Sequence, residues 1–148
     1  MLSARTARWL LCPLAAVGSC GATGIASRGV QGWLQTRLGQ ATLEAVLPLD
    51  GQEAVRLALE ALGFVLAGSL MAPRARPLIA LALFLLGAWL AWFMLRSWYF
   101  PEFHPRGYEM SSLPLWGCWA GGVTAVAFMA LPSVRRALTT VGADGRLG

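Results

Sequence analysis

Four long apolar runs dominate the chain, each bounded by arginine, proline or both. The first covers residues 9–26 and follows Arg5 and Arg8. The second covers 54–72 and is stopped by Pro73. The third covers 78–95 and reads LIALALFLLGAWLAWFML, without a single charge. The fourth covers 113–131 and ends at Pro132, ahead of Arg135 and Arg136. A hydrocarbon core about 30 Å thick needs about 20 helical residues. Each run therefore predicts one membrane-spanning helix. The first is the least ideal, because it is short and holds Pro13, Gly18, Gly21 and Gly24. Such residues are tolerated in membrane helices.

The connections differ in kind. Pro73, Arg74, Arg76 and Pro77 predict a very short turn, with Pro77 in the first turn of the third helix. Residues 27–53 are too many for a turn. There Val30, Trp33, Leu34, Leu38 and Leu43 alternate with polar residues, as in an amphipathic helix in the interface or capping the bundle. Residues 97–112 are rich in Trp, Tyr, Phe and Pro and predict an aromatic loop at headgroup level. The whole is an all-α, single-domain, four-helix membrane bundle with an amphipathic segment between its first two spans.

Composition agrees. The chain is 57% hydrophobic and 13% charged, with a mean hydropathy of +0.59. Soluble domains carry about 25% charged residues. The net charge of +5 comes entirely from arginine, clustered between the apolar runs. That placement reads as topology signalling rather than nucleic-acid binding. Arg5, Arg8, Arg74, Arg76, Arg135, Arg136 and Arg146 fall on one side, and Arg28, Arg37, Arg56, Arg96 and Arg106 on the other. The first side is expected to be cytoplasmic, with both termini there. Absence of Lys and Asn, beside abundant Ala, Gly and Arg, suggests a bacterial inner membrane.

Candidate chemistry is sparse. Glu60 lies inside the second run, where an ionisable residue is costly and often functional. Arg56, Glu60, Gly63 and Ala67 recur at helical spacing and share one face. The plain reading is an ion pair between Arg56 and Glu60 that places the helix end. The functional reading is a group that accepts a proton or orients a ligand. Matching depths puts Ser19, Cys20, residues 90–92 with Trp92, and residues 118–121 with Cys118 at the level of Glu60. A small polar and aromatic pocket there requires Cys20 and Cys118 on the same side of the bundle. Gly117, Gly121 and Ala125 are spaced for close helix packing. Trp89, Trp92, Trp116 and Trp119 suit packing or the interface better than stacking on a quinone or pigment. His104 stands beside Glu102 and Arg106 without companion metal ligands. Three cysteines, Cys12, Cys20 and Cys118, form no CxxC or Cys/His cluster. Val17-Gly18-Ser19-Cys20 also resembles a lipobox, which would make the first run a cleaved signal. No catalytic set, metal site or cofactor motif is evident.

The layout resembles the DoxX-like family of small four-helix membrane proteins. The matching features run from Arg8-Trp9-Leu10-Leu11 through Glu60-Ala61-Leu62-Gly63 to the Gly-rich last helix. The resemblance implies a membrane component, in a family often linked to redox or thiol-stress systems. Three functions follow as expectations. The first is an accessory or scaffold subunit of a membrane complex, binding other subunits through small-residue faces and the aromatic loop. The second is a quinone-linked component using Glu60, and the third a small transporter subunit. The predicted topology is checked with reporter fusions. Green fluorescent protein after Gly148 should fluoresce, and alkaline phosphatase inserted within residues 97–112 should be active. The opposite pattern would reverse the orientation.

Overall fold

The computed structural model describes residues 4–72, 75–98, 112–132 and 134. Among them there is no strand. Five helices follow in order: α1 (Ala4–Leu38), α2 (Gln40–Val46), α3 (Leu49–Met71), α4 (Arg76–Trp98) and α5 (Leu113–Ala130). Four of them, all but α2, are long and apolar enough to cross a membrane. The chain is a multi-pass integral membrane protein with an all-α bundle.

The first helix differs most from expectation. It runs unbroken for 35 residues, through Pro13 and the glycines. At 1.5 Å per residue it is about 52 Å long, well beyond a hydrocarbon core. Val30, Trp33, Leu34 and Leu38 therefore continue α1 rather than starting a separate helix. The break comes at Gly39, whose φ of 79° is readily adopted only without a Cβ. Its amide still bonds to the Gln35 carbonyl at 3.0 Å, closing the last turn of α1. The chain then folds back as α2, which places Leu43 in a buried position.

Pro48 precedes α3, and Asp50 sits in its first turn, where a negative charge meets the positive end of the helix dipole. The helix ends at Ala72, whose N–H bonds to the Ser69 carbonyl at 3.2 Å. Ala75 adopts a left-handed φ of 52°, and Arg76 Nε donates to the Ala72 carbonyl at 3.2 Å. Pro77 lies in the first turn of α4, as its fixed φ favours. Pro114 plays the same part in α5. The aromatic loop, with His104, lies outside the described residues apart from its ends.

All four spans meet at α3. Gly117 and Gly121 of α5 face the backbone of Ala54 and Ala58, leaving no room for a Cβ at either glycine. Gly122 receives the ring of Phe84 from α4. Val65, Ala80, Ala125 and Met129 form the buried centre of α3, α4 and α5, flanked by Leu62, Phe64 and Leu83. On α1 the contacts are with Glu60, Gly63 and Gly68 of α3. Positions 58 and 60 lie about 160° apart around a helix. Hence α1 and α5 occupy opposite faces of α3, and α1 packs extensively on α3 but on neither α4 nor α5.

Gly121→Val should destabilise the bundle by roughly 3 kcal/mol, because the added carbons meet rigid backbone. Gly18, with open space around it, should accept valine within about 0.5 kcal/mol. Unfolding in detergent micelles reads both, and equal effects would contradict this packing.

Candidate functional site

The α1–α3 contact is the polar seam of the molecule. At the α2 end, Gln31 Nε2 donates to Gln52 Oε1 at 2.5 Å. Gln52 Nε2 in turn donates to the Leu47 carbonyl at 2.8 Å. Gln52 is 7% exposed, so its amide depends on these partners. One turn further along, Arg56 Nη2 meets Glu53 Oε2 at 2.5 Å. Arg56 Nε lies 3.6 Å from Glu60 Oε1. That Nε is buried and makes no hydrogen bond.

Glu60 is the twelfth of 23 residues in α3. It stands about 16 Å from the helix start. A Cβ on Gly24 would lie 2.8 Å from Glu60 Oε1, so the carboxylate occupies the space that this glycine leaves open. A Cβ on Gly63 would lie 3.0 Å from Ser19 Oγ and 3.1 Å from the Thr23 methyl. The face carrying Arg56, Glu60 and Gly63 is therefore turned to α1. Thr23 Oγ1 donates to the Ser19 carbonyl at 2.8 Å, satisfying its hydroxyl within its own helix. Further down, Cys12 Sγ donates to the Gly68 carbonyl at 2.9 Å across the helices.

Cys20 and Cys118 carry free thiols and are partly buried. Depth matching along the sequence brings Cys20, Cys118 and Glu60 to one level; in the fold Cys20 is carried by α1 and Cys118 by α5, on opposite faces of α3. Trp92 is 51% exposed and stands apart from the seam contacts just described. Trp89 stacks on Phe93 with centroids 5.9 Å apart, and Trp116 meets Trp119 edge-on at 5.3 Å. Trp119 Nε1 is buried without a hydrogen-bond partner. Gly117, Gly121 and Ala125 all lie at buried or half-buried positions of α5, the two glycines on α3. Among the described residues no group of His, Cys, Asp and Glu could hold a metal ion.

A cavity of about 300 Å³ opens between α1, α2 and α3. Val30, Leu34, Leu43, Leu47, Val55 and Leu59 supply its apolar wall. Gln31, Gln52 and Arg56 supply a polar edge. Sequence reasoning missed this cavity and the Gln31–Gln52 bond. Two glutamines on separate helices carry no spacing signal, and α2 becomes a wall only because the chain reverses at Gly39.

The chain matches no protein-family model, no curated protein and no solved structure.

Gln52→Ala removes both amide bonds and leaves the Leu47 carbonyl without its side-chain donor. It should cost about 2 kcal/mol in detergent unfolding. A change within about 0.5 kcal/mol would show that the seam does not depend on this amide.

Proposed function

We propose that this protein is an accessory or scaffold subunit of a larger complex in a bacterial inner membrane, with both termini cytoplasmic. The carrying observation is the outward face of α1. Gly18, Gly21, Gly29 and Gly32 have nothing within 4 Å, and Ala22 and Ile25 between them are exposed. They form one stripe on the side of α1 away from α3. Small residues on either side of the exposed Ile25 allow the backbone of a second helix to come close around that side chain, and close packing is the main source of helix association in lipid. The Gly117–Gly121 pair cannot serve this purpose, since α3 already fills it. The docking face is thus on α1 rather than α5.

A second reading, a DoxX-like redox component, is supported by the Glu60 carboxylate held within the spans against Gly24 of α1. No observation favours a transporter.

Extraction in a mild detergent should yield a stoichiometric complex much larger than the 15.8 kDa chain. The double variant Gly21→Ile/Gly29→Ile should lower recovery of that partner at least tenfold while leaving unfolding of the chain unchanged. A lone chain under several extraction conditions, or undiminished recovery from the variant, would count against the proposal.

A further inference from the structure

Two pairs of arginines frame the bundle. On α1, Arg8 and Arg28 enclose 19 uncharged residues. On α4, Arg76 and Arg96 enclose another 19. Each stretch corresponds to about 30 Å of helix between its arginines, the thickness of a hydrocarbon core.

The packing sets the two pairs at the same heights. α1 runs antiparallel to α3 in a single register. Cys12 bonds to Gly68, Ser19 meets Gly63, Gly24 meets Glu60, and Gln31 bonds to Gln52. Along these contacts the partner positions fall nearly one for one, so the two axes stay close to parallel. α4 is also antiparallel to α3, with Leu83 at Gly68 and Phe64 at Gly87. Counted along α3, Arg28 and Arg96 both stand opposite Val55. Arg8 and Arg76 both stand roughly 6 Å beyond Met71, the end of α3. The two registers are independent of each other, and they agree to within about 3 Å.

We infer that the two hydrocarbon boundaries of the bilayer lie at these two heights, and that the elbow between α1 and α2 stands beyond the lipid, in water. Arg8 and Arg28 are exposed, so both side chains can reach phosphates at a boundary. Trp9 is exposed beside the first plane. Trp116 is exposed beside the second, next to Gly117, which packs on Ala54. Aromatic belts occupy these same layers.

Beyond Arg28, α1 continues to Leu38. That is about 15 Å of helix, whereas the headgroup layer on each side is about 5–8 Å deep. Because α1 keeps the direction of α3, its end, Gly39 and α2 project past the headgroups instead of lying among them. The apolar positions of residues 27–53 then serve contacts within the protein, as the burial of Leu43 shows. Glu60 falls inside the second plane by roughly 7 Å.

Trp33 and Trp89 test this placement in the unaltered chain. Their exposure on the bundle is the same, 59% and 60%. Trp33 lies about 7 Å outside the second plane, and Trp89 about 10 Å inside it. Hydroxyl-radical footprinting of the full chain in phosphatidylcholine nanodiscs should oxidise Trp33 at least tenfold faster than Trp89. Equal oxidation, or faster oxidation of Trp89, would overturn the placement. Spin labels give a second reading, in a chain carrying Cys12→Ala, Cys20→Ala and Cys118→Ala. Gly18→Cys, Gly21→Cys, Gly29→Cys and Gly32→Cys supply the attachment sites, each with open space around it. Collisions with a water-soluble nickel chelate, relative to oxygen, should rise at least fivefold from position 21 to position 32. A label at position 32 as protected as one at position 21 would put the elbow in lipid and overturn the inference. Footprinting needs no substitution, so it decides the matter even if the labelled chains do not fold.

Discussion

Gly117 and Gly121 lack the side chains that would hold α5 away from α3, and the backbone at Ala54 and Ala58 fills the space. In a bilayer the lipid tails are as apolar as leucine, so burial alone gives helices little reason to associate. Contact has to be close to be worth making. The two glycines provide that contact one turn apart, and the remaining packing follows from it. With α5 pressed on one face of α3, Phe84 of α4 fills the notch at Gly122. The opposite face of α3 is left for α1.

The two faces of α3 then divide the work. The α5 side is made of small residues, Ala54 and Ala58 meeting Gly117 and Gly121. The α1 side carries Gln52, Arg56 and Glu60; α1 brings Gln31 for the amide and the open backbone at Gly24 for the carboxylate, while Arg56 is paired within α3 by Glu53 and Glu60. Costly intramembrane groups collect at one seam rather than being spread through the bundle. The cavity, the ion-pair trio and the outward glycine stripe all involve α1. The proposed partner docking uses its outward side.

Much of this architecture was legible in the chain. Uninterrupted apolar length marks a span regardless of what packs on it, so α3, α4 and α5 could be read directly. Gly117, Gly121 and Ala125 showed a close-packing face by spacing alone, although not which helix filled it. The face of Arg56, Glu60 and Gly63 was also visible, because helical periodicity needs no tertiary information. The extent of α1 was not. Pro13 and the glycines lower local propensity, and the residues after Ala26 read as a separate amphipathic helix, yet α1 continues unbroken to Leu38. Gly39 was one of many glycines, and nothing local singled it out as the reversal point. The cavity depends on that reversal, so it could not be read from sequence.

The central claim is that α3 separates α1 from α5. Disulfide trapping tests it most directly, in a chain whose native cysteines are replaced by Cys12→Ala, Cys20→Ala and Cys118→Ala. A Cβ at position 63 lies 3.0 Å from the Ser19 side-chain oxygen. The pair Ser19→Cys/Gly63→Cys should therefore cross-link rapidly in membranes under mild oxidation, while Ser19→Cys/Val126→Cys should not. Cross-linking of the second pair in preference to the first would place α1 against α5 and contradict the account.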